Sequence, residues 1–136
     1  MSSFIEHNLW LGGIDDTENL EELKKNNITI IINVAEDCVH EIKYSNIEYY
    51  KFGIISAMEL SKEKLEDIYN IIINNETKNN VLLHCSKGIS RSVLFTIYYL
   101  IKRNNMSFDD ALKYIKEKRP SIGCSEFSKK ILEKYL

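Results

Sequence analysis

Residues 82–94, "LLHCSKGISRSVL", join an apolar run to a second apolar run through a histidine, a cysteine, a glycine and an arginine set between two serines. The first run, "NVLLHC" (80–85), has the continuous apolar character of a strand covered on both faces. In the second, Leu94, Ile97, Tyr98 and Ile101 recur at the spacing of one helical face. Strand, turn and helix in that order suggest a repeating strand–helix unit, and the flanking sequence supplies more of them. "ITIIINVA" (28–35) is a β-branched run expected to be a buried strand, and "IEYYKFGII" (47–55) is another strand candidate. "LWLGG" (9–13) reads as a short strand ending in a glycine turn, after which Asp15 or Asp16 is expected to cap a helix carrying Leu20 and Leu23. Ser61 is the expected N-cap of a helix with Leu65, Ile68, Tyr69 and Ile72 on one face. Ser107 caps the next, with Asp110 in the capping-box region, and a final helix spans about residues 125–135 with Phe127, Ile131 and Tyr135. The alternation predicts an α/β fold: a central, mainly parallel, twisted sheet of about four to five strands flanked by helices. Such sheets bind ligands beyond the carboxyl ends of their strands, where residues 85–91 fall.

The chain has 136 residues, 15.9 kDa and 44% hydrophobic content, and is expected to form one domain over residues 1–136 with its own core. A net charge of −2 argues against nucleic acid as a partner. Cys38, Cys85 and Cys124 are odd in number, widely spaced and without a C-x-x-C pair, which suggests neither a disulfide framework nor a zinc site. A reducing, intracellular location, cytoplasmic or nuclear, is the expectation. The N-terminus lacks the basic-then-apolar order of a leader, and "VLFTIYYLI" is too short to cross a bilayer.

Chemically, "CSKGISR" offers a run of backbone N–H groups, with Gly88 permitting the backbone angles that let them converge on one anion. The following helix adds the positive end of its dipole. Arg91 brings a planar fork matched to two phosphate oxygens, a geometry lysine does not reproduce. A thiol at Cys85, facing these groups, should ionise below its ordinary range of about 8.5. Cys38 and Cys124 lack that context and read as packed thiols.

"HCSKGISRS" resembles the signature of the cysteine-dependent protein tyrosine phosphatase superfamily, specifically its dual-specificity branch. "NLWLGGIDDTENLEELKKNNITIIINVAED", "YYLIKRNNMSFDDALKYIKEKRPSI" and "FSKKILEKYL" resemble further segments of that branch, so the likeness covers nearly the whole chain. The resemblance implies that Cys85 is the nucleophile that forms a phosphocysteine, that Arg91 binds the equatorial oxygens, and that Ser92 assists the thiolate as leaving group. Ser86, Lys87, Gly88, Ile89, Ser90 and Arg91 would cradle the phosphate through their backbone N–H groups. His84 would orient the loop rather than transfer a proton, and Lys87 would add positive potential at the rim. The substrate implied is a phosphoprotein carrying phosphotyrosine, with phosphoserine and phosphothreonine as further substrates, and the mechanism calls for no metal or cofactor.

The sequence departs from the family pattern at two places. The family takes its general acid, an aspartate, from the loop after the strand corresponding to "IEYYKFGII". Here that loop reads "GIISAMELSKEK", with Ser56 or Ile54 at the aligned position and Glu59 as the nearest carboxylate and candidate acid. A positioned acid contributes about 10²- to 10⁴-fold, so an enzyme without one should favour aryl phosphates, whose phenolate has a pKa of about 10, over alkyl ones. Near the C-terminus, "RPSIGCSEF" carries Cys124 and Ser125 where the family often has Pro-Asn. Ser125 is a shorter candidate to support the phosphate loop, and Cys124 is either a packed thiol or a disulfide partner of Cys85 on oxidation.

The competing readings are a phosphate-binding module of low turnover and a phosphoinositide or RNA 5′-phosphatase. The single Lys87 and the Ser-Arg-Ser ending point away from the latter two substrates.

Overall fold

The computed structural model describes all residues 1–136. Five strands, β1 (Ser3–Glu6), β2 (Leu9–Gly12), β3 (Ile28–Ala35), β4 (Glu48–Ile54) and β5 (Asn80–His84), form one sheet in the order β1-β2-β5-β3-β4. Four are parallel neighbours and only β1 runs antiparallel, against β2. The helices are α1 (Leu20–Lys25), α2 (Lys62–Asn74), α3 (Arg91–Asn104), α4 (Phe108–Lys118) and α5 (Glu126–Glu133).

The period of two along each strand divides the core. Ile30, Ile32 and Val34 of β3, Val81 and Leu83 of β5, and Leu9 and Leu11 of β2 face the larger core, with α2, α3, α4 and α5. Ile31 and Leu82, pointing the other way, join Leu23 of α1 in a small second core backed by Trp10 and Tyr49. Helix α3 runs through the middle of the larger layer: every residue from Ser92 to Leu100 is buried. Truncating Phe95 there would cost about 3–5 kcal/mol.

Ser61 and Ser107 cap α2 and α4 as expected, accepting from Lys64 N and Asp110 N, each at 3.1 Å. Helix α1 differs from expectation. Its cap is Asn19, not Asp15 or Asp16, because Asp16 Oδ2 is drawn back onto Gly13 N (2.9 Å) and residues Ile14–Thr17 close a separate 3-10 turn. Strand β1 is an addition: four residues on the sheet edge, too short to announce itself by periodicity. No helix is long and apolar enough to cross a membrane.

Candidate active site

β5 ends at His84, so Cys85 is the first residue past the carboxyl edge of a central strand, and Arg91 is the first residue of α3. The five residues between them form a loop whose shape is imposed from outside. The Cys85 carbonyl accepts from His84 Nδ1 (2.9 Å) and the Ser86 carbonyl from Ile14 N (2.8 Å). Those of Lys87 and Gly88 accept from Arg119 Nη2 (3.0 Å) and Nε (2.8 Å), and that of Ile89 from Gly123 N (2.8 Å). With five consecutive carbonyls turned outward, the intervening N–H groups converge on the other side. Gly88 sits at φ +71°, and a Cβ there would lie 2.4 Å from the Gly12 carbonyl oxygen, so this position admits no side chain. Ser90, the N-cap of α3, makes no side-chain cap, which leaves the first-turn N–H groups of a 14-residue helix facing the same space.

The space is a cup of about 180 Å³ lined by Cys85, Ser86, Lys87, Ile89, Ser90 and Arg91. Cys85 is 2% exposed, and its sulfur faces this cup. It accepts from Gly88 N at 3.3 Å and lies 3.2 Å from Ser92 Oγ. Burial alone would push the thiol up. Hydrogen bonds from the Ser92 hydroxyl and from the backbone N–H groups of Ser92, Gly88 and Ser90 outweigh it and hold the pKa below the ordinary thiol value. The other two thiols go the opposite way: burial raises Cys38, and burial also raises Cys124. Sequence reasoning assigned Arg91 a share in lowering the thiol, but hydrogen bonds lead.

The cup opens into a larger cavity of about 950 Å³ that shares Ile89, Ser90 and Arg91 with it and is walled by Ile55, Ala57, Leu94 and the 121–128 segment. Arg91 Nη1 donates to the Ile54 carbonyl (3.0 Å) and to Asp37 Oδ1, and Nη2 reaches Asp37 Oδ2 at 3.5 Å. Asp37 is the one carboxylate in the lining of the larger cavity. Glu59 is not in that lining: its carboxylate is folded back onto Ile55 N of its own loop. Ser56 Oγ is used on Met58 N (3.3 Å). Ser125 takes a different role from the one expected. Its hydroxyl caps α5 through Ser128 N (3.1 Å), and the phosphate loop is instead supported by the Gly123 backbone. Cys124 lines the larger cavity, not the cup, with its sulfur 3.7 Å from the Ser125 carbonyl. Lys87 is exposed at the rim.

His84 is fully buried behind the loop. A carbonyl only accepts, so Nδ1 carries the proton toward Cys85 O, and Nε2 of the neutral ring must accept from His40 Nε2 at 2.8 Å. Burial, the largest cause, together with His40, pushes its pKa down to about 4 against the opposing pull of the Cys85 carbonyl. His40, Arg119 and Asp37 escaped sequence reasoning. Each reaches the site from a remote loop or helix end with no local pattern to mark it.

The family model described as the dual specificity phosphatase catalytic domain matches residues 9–135. Human dual specificity protein phosphatase 7 is 36% identical over 118 residues, which cover 85% of this chain and 28% of that protein. A putative tyrosine-protein phosphatase of Acanthamoeba polyphaga mimivirus is 31% identical over 122 residues, 89% of this chain and 53% of that one. The chain thus spans under a third of the human relative's length and about half of the viral one's. Among solved structures, that of DUSP15 superposes with a TM-score of 0.88 at 25% identity, over 98% of this chain and 86% of the other. A thiol at the carboxyl edge of the sheet, a loop of inward N–H groups, a forked cation on the next helix and a match over 9–135 place this chain in the dual specificity phosphatase catalytic-domain family.

Proposed function

We propose that this chain is a cysteine-dependent protein phosphatase that hydrolyses phosphotyrosine, and also phosphothreonine and phosphoserine, through a phosphocysteine intermediate. The observation that carries the reading is the Cys85 sulfur. It is almost wholly buried, yet its pKa is lowered by donors that belong to the same cup a phosphate would fill. A thiolate held in that way is a nucleophile aimed at phosphorus.

In this reading the backbone N–H groups of residues 86–91 and the first turn of α3 bind the non-bridging oxygens. They also stabilise the charge that builds on them in the transition state. Arg91 Nη1 is engaged by Ile54 and Asp37, which steadies the guanidinium while Nε and the outer edge of Nη2 address the phosphate. Sulfur attacks phosphorus, the bond to the leaving oxygen breaks, and water later cleaves the S–P bond. Ser92 Oγ, 3.2 Å from the sulfur, donates to it as it leaves as thiolate. His84 and Arg119 hold the loop from behind and touch no substrate.

The larger cavity beside the cup supports a phosphoprotein substrate, because Ile55, Ala57 and Leu94 offer apolar wall to residues next to the phosphorylated one. We assign residues 1–136 to one catalytic domain. Its three free thiols, one of them with its pKa lowered by hydrogen bonds, suit the reducing cytoplasm or nucleus. The deciding experiment is rapid mixing with an activated aryl phosphate such as p-nitrophenyl phosphate. A burst of aryl alcohol stoichiometric with protein, absent in Cys85→Ser, is expected. A wild-type protein that binds the ester but releases no alcohol would be a phosphate-binding module and not an enzyme.

A further inference from the structure

The loop after β4, where the family carries its proton donor, holds no aspartate, and its one carboxylate, Glu59, is spent on Ile55 N. A different acidic group borders the same cavity as that loop, for Asp37 shares its lining with Ile55 and Ser56. Asp37 lies in the turn after β3. Its Oδ1 and the Ile54 carbonyl share a single donor atom, Arg91 Nη1, so the Asp37 carboxylate is a near neighbour of the root of the loop that lacks the acid.

Although the Asp37 side chain is 60% exposed, the backbone that carries it is fastened. Cys38 N closes the turn on the Ala35 carbonyl (3.1 Å), and Glu36 N is held by the Ile54 carbonyl (3.1 Å). Asn33 Nδ2 donates to the Cys38 carbonyl (2.8 Å) and Lys51 Nζ to that of Glu36 (3.1 Å). Gly53 makes the approach possible, since a Cβ there would meet Glu36 Cα at 2.8 Å. Asp37 is therefore presented to the larger cavity, against the Arg91 guanidinium that borders the cup, by a clamped turn and not by a loose loop.

We propose that Asp37 is the general acid of this phosphatase, supplied from the turn after β3 in place of the usual loop. The proposal rests on the phosphatase reading above. In the first step the Cys85 thiolate forms the S–P bond, and the electron pair of the breaking P–O bond goes to the leaving oxygen. That oxygen takes its proton from the Asp37 carboxyl and departs as phenol or alcohol. In the second step the Asp37 carboxylate accepts a proton from the water that attacks phosphorus. The S–P bond breaks, its electron pair returns to sulfur, and inorganic phosphate leaves.

The groups facing Asp37 explain how it comes to hold a proton. In the resting site the hydrogen bond from Arg91 of α3, then that from Asp37's own backbone N–H, and last the charges of Arg91 and of Lys51 of β4 lower its pKa, with the raised thiol of Cys38 alongside. A phosphate dianion arriving at Arg91 puts two anions on one cation, and one of them then binds a proton more readily. The ester is already fixed in the cup by N–H groups, so the proton goes to the carboxylate.

The test compares wild type, Asp37→Asn and Glu59→Gln on three phosphates of rising leaving-group pKa: p-nitrophenyl phosphate, a phosphotyrosine peptide and a phosphothreonine peptide. Asp37→Asn is expected to lose kcat in proportion to that pKa, from about tenfold or less on the nitrophenyl ester to about 10²- to 10⁴-fold on phosphothreonine. The basic limb of its pH–rate profile should flatten as well. In a Cys85→Ser background, sulfate titration calorimetry in two buffers should show proton uptake that Asp37→Asn removes. A loss equal on all three substrates would make Asp37 a mere orienter of Arg91 and overturn the proposal. So would faster turnover with tighter sulfate binding, or a graded loss that appears in Glu59→Gln instead. If wild type turns over none of the three, the phosphatase reading fails and takes this role with it. If wild type turns over and Asp37→Asn matches it throughout, only the proposal fails.

Discussion

Residues 85–89 have every carbonyl held by a donor from another part of the chain or from the preceding histidine, whereas residues 55–59, on the wall of the adjoining larger cavity, bond mainly to one another. In the first segment Cys85 and Gly88 are buried, Ser86 and Ile89 are half-buried and only Lys87 is exposed. The second exposes Ile55 and Met58 by 67% and 69%. The contrast separates two tasks. Charge stabilisation needs donors that do not move as the reaction proceeds, so they are fixed by tertiary bonds. A wall that meets substrate residues beside the phosphate tolerates a segment held by local hydrogen bonds and by the one buried side chain of Ala57.

The sharpest way to break that division is at the thiol. Cys85→Ser is expected to lose about 10⁴-fold or more in turnover and still to bind sulfate, because the cup is made of backbone. Loss of sulfate binding in calorimetry would mean that the sulfur shapes the loop. Arg91→Lys keeps the charge and discards the fork, and kcat/KM on an aryl phosphate should fall by about 10²- to 10³-fold.

The rigid side also carries a pH signature. Well above pH 6.5 the His84 ring is neutral folded or unfolded. As pH falls from there toward about 4, the unfolded chain takes up a proton that the buried ring refuses, so stability drops. The loss approaches about 3 kcal/mol. Urea unfolding across that range should show the slope, and His84→Gln should flatten it.

Ser92→Ala removes one hydrogen bond to a departing thiolate, worth about 1.5–3 kcal/mol, so phosphocysteine breakdown should slow by about tenfold to a hundredfold. Intermediate trapped by acid quench should rise in step. The smallest effect belongs to the adaptable wall. Ile55→Ser should raise KM for a phosphopeptide by a few-fold, about 1 kcal/mol of lost apolar contact, and affect p-nitrophenyl phosphate less. Equal effects on both would show that the wall, too, shapes the cup.

Legibility in the sequence followed the range of the interaction. The β3 and β5 runs, the helical stripe of α3 and the serine caps of α2 and α4 are local patterns, and they fixed the sheet and the position of Cys85, Arg91 and Ser92 at its edge. Strand β1 was missed because four residues on an edge show no period. The cap of α1 was misassigned because Asp16 competes for it with a nearer donor, Gly13 N. His40 and Asp37 enter the site over separations of 44 and 54 residues, which no periodicity encodes. Within the loop after β4 the sequence offers only Glu59 as a carboxylate, and nothing local ties the distant Asp37 to Arg91.

Because the anion cup is drawn by peptide groups and tied off behind by Arg119, Ile14 and Gly123, the side chains of Ser86, Lys87, Ile89 and Ser90 contribute little to its outline. They are interchangeable furniture in a fixed room. Replacing Lys87 by an acid, or Ile89 by an aromatic ring, would retune which phosphate esters enter while leaving the reactive geometry intact, and so the catalytic machinery and the preference for substrate can diverge independently within one loop.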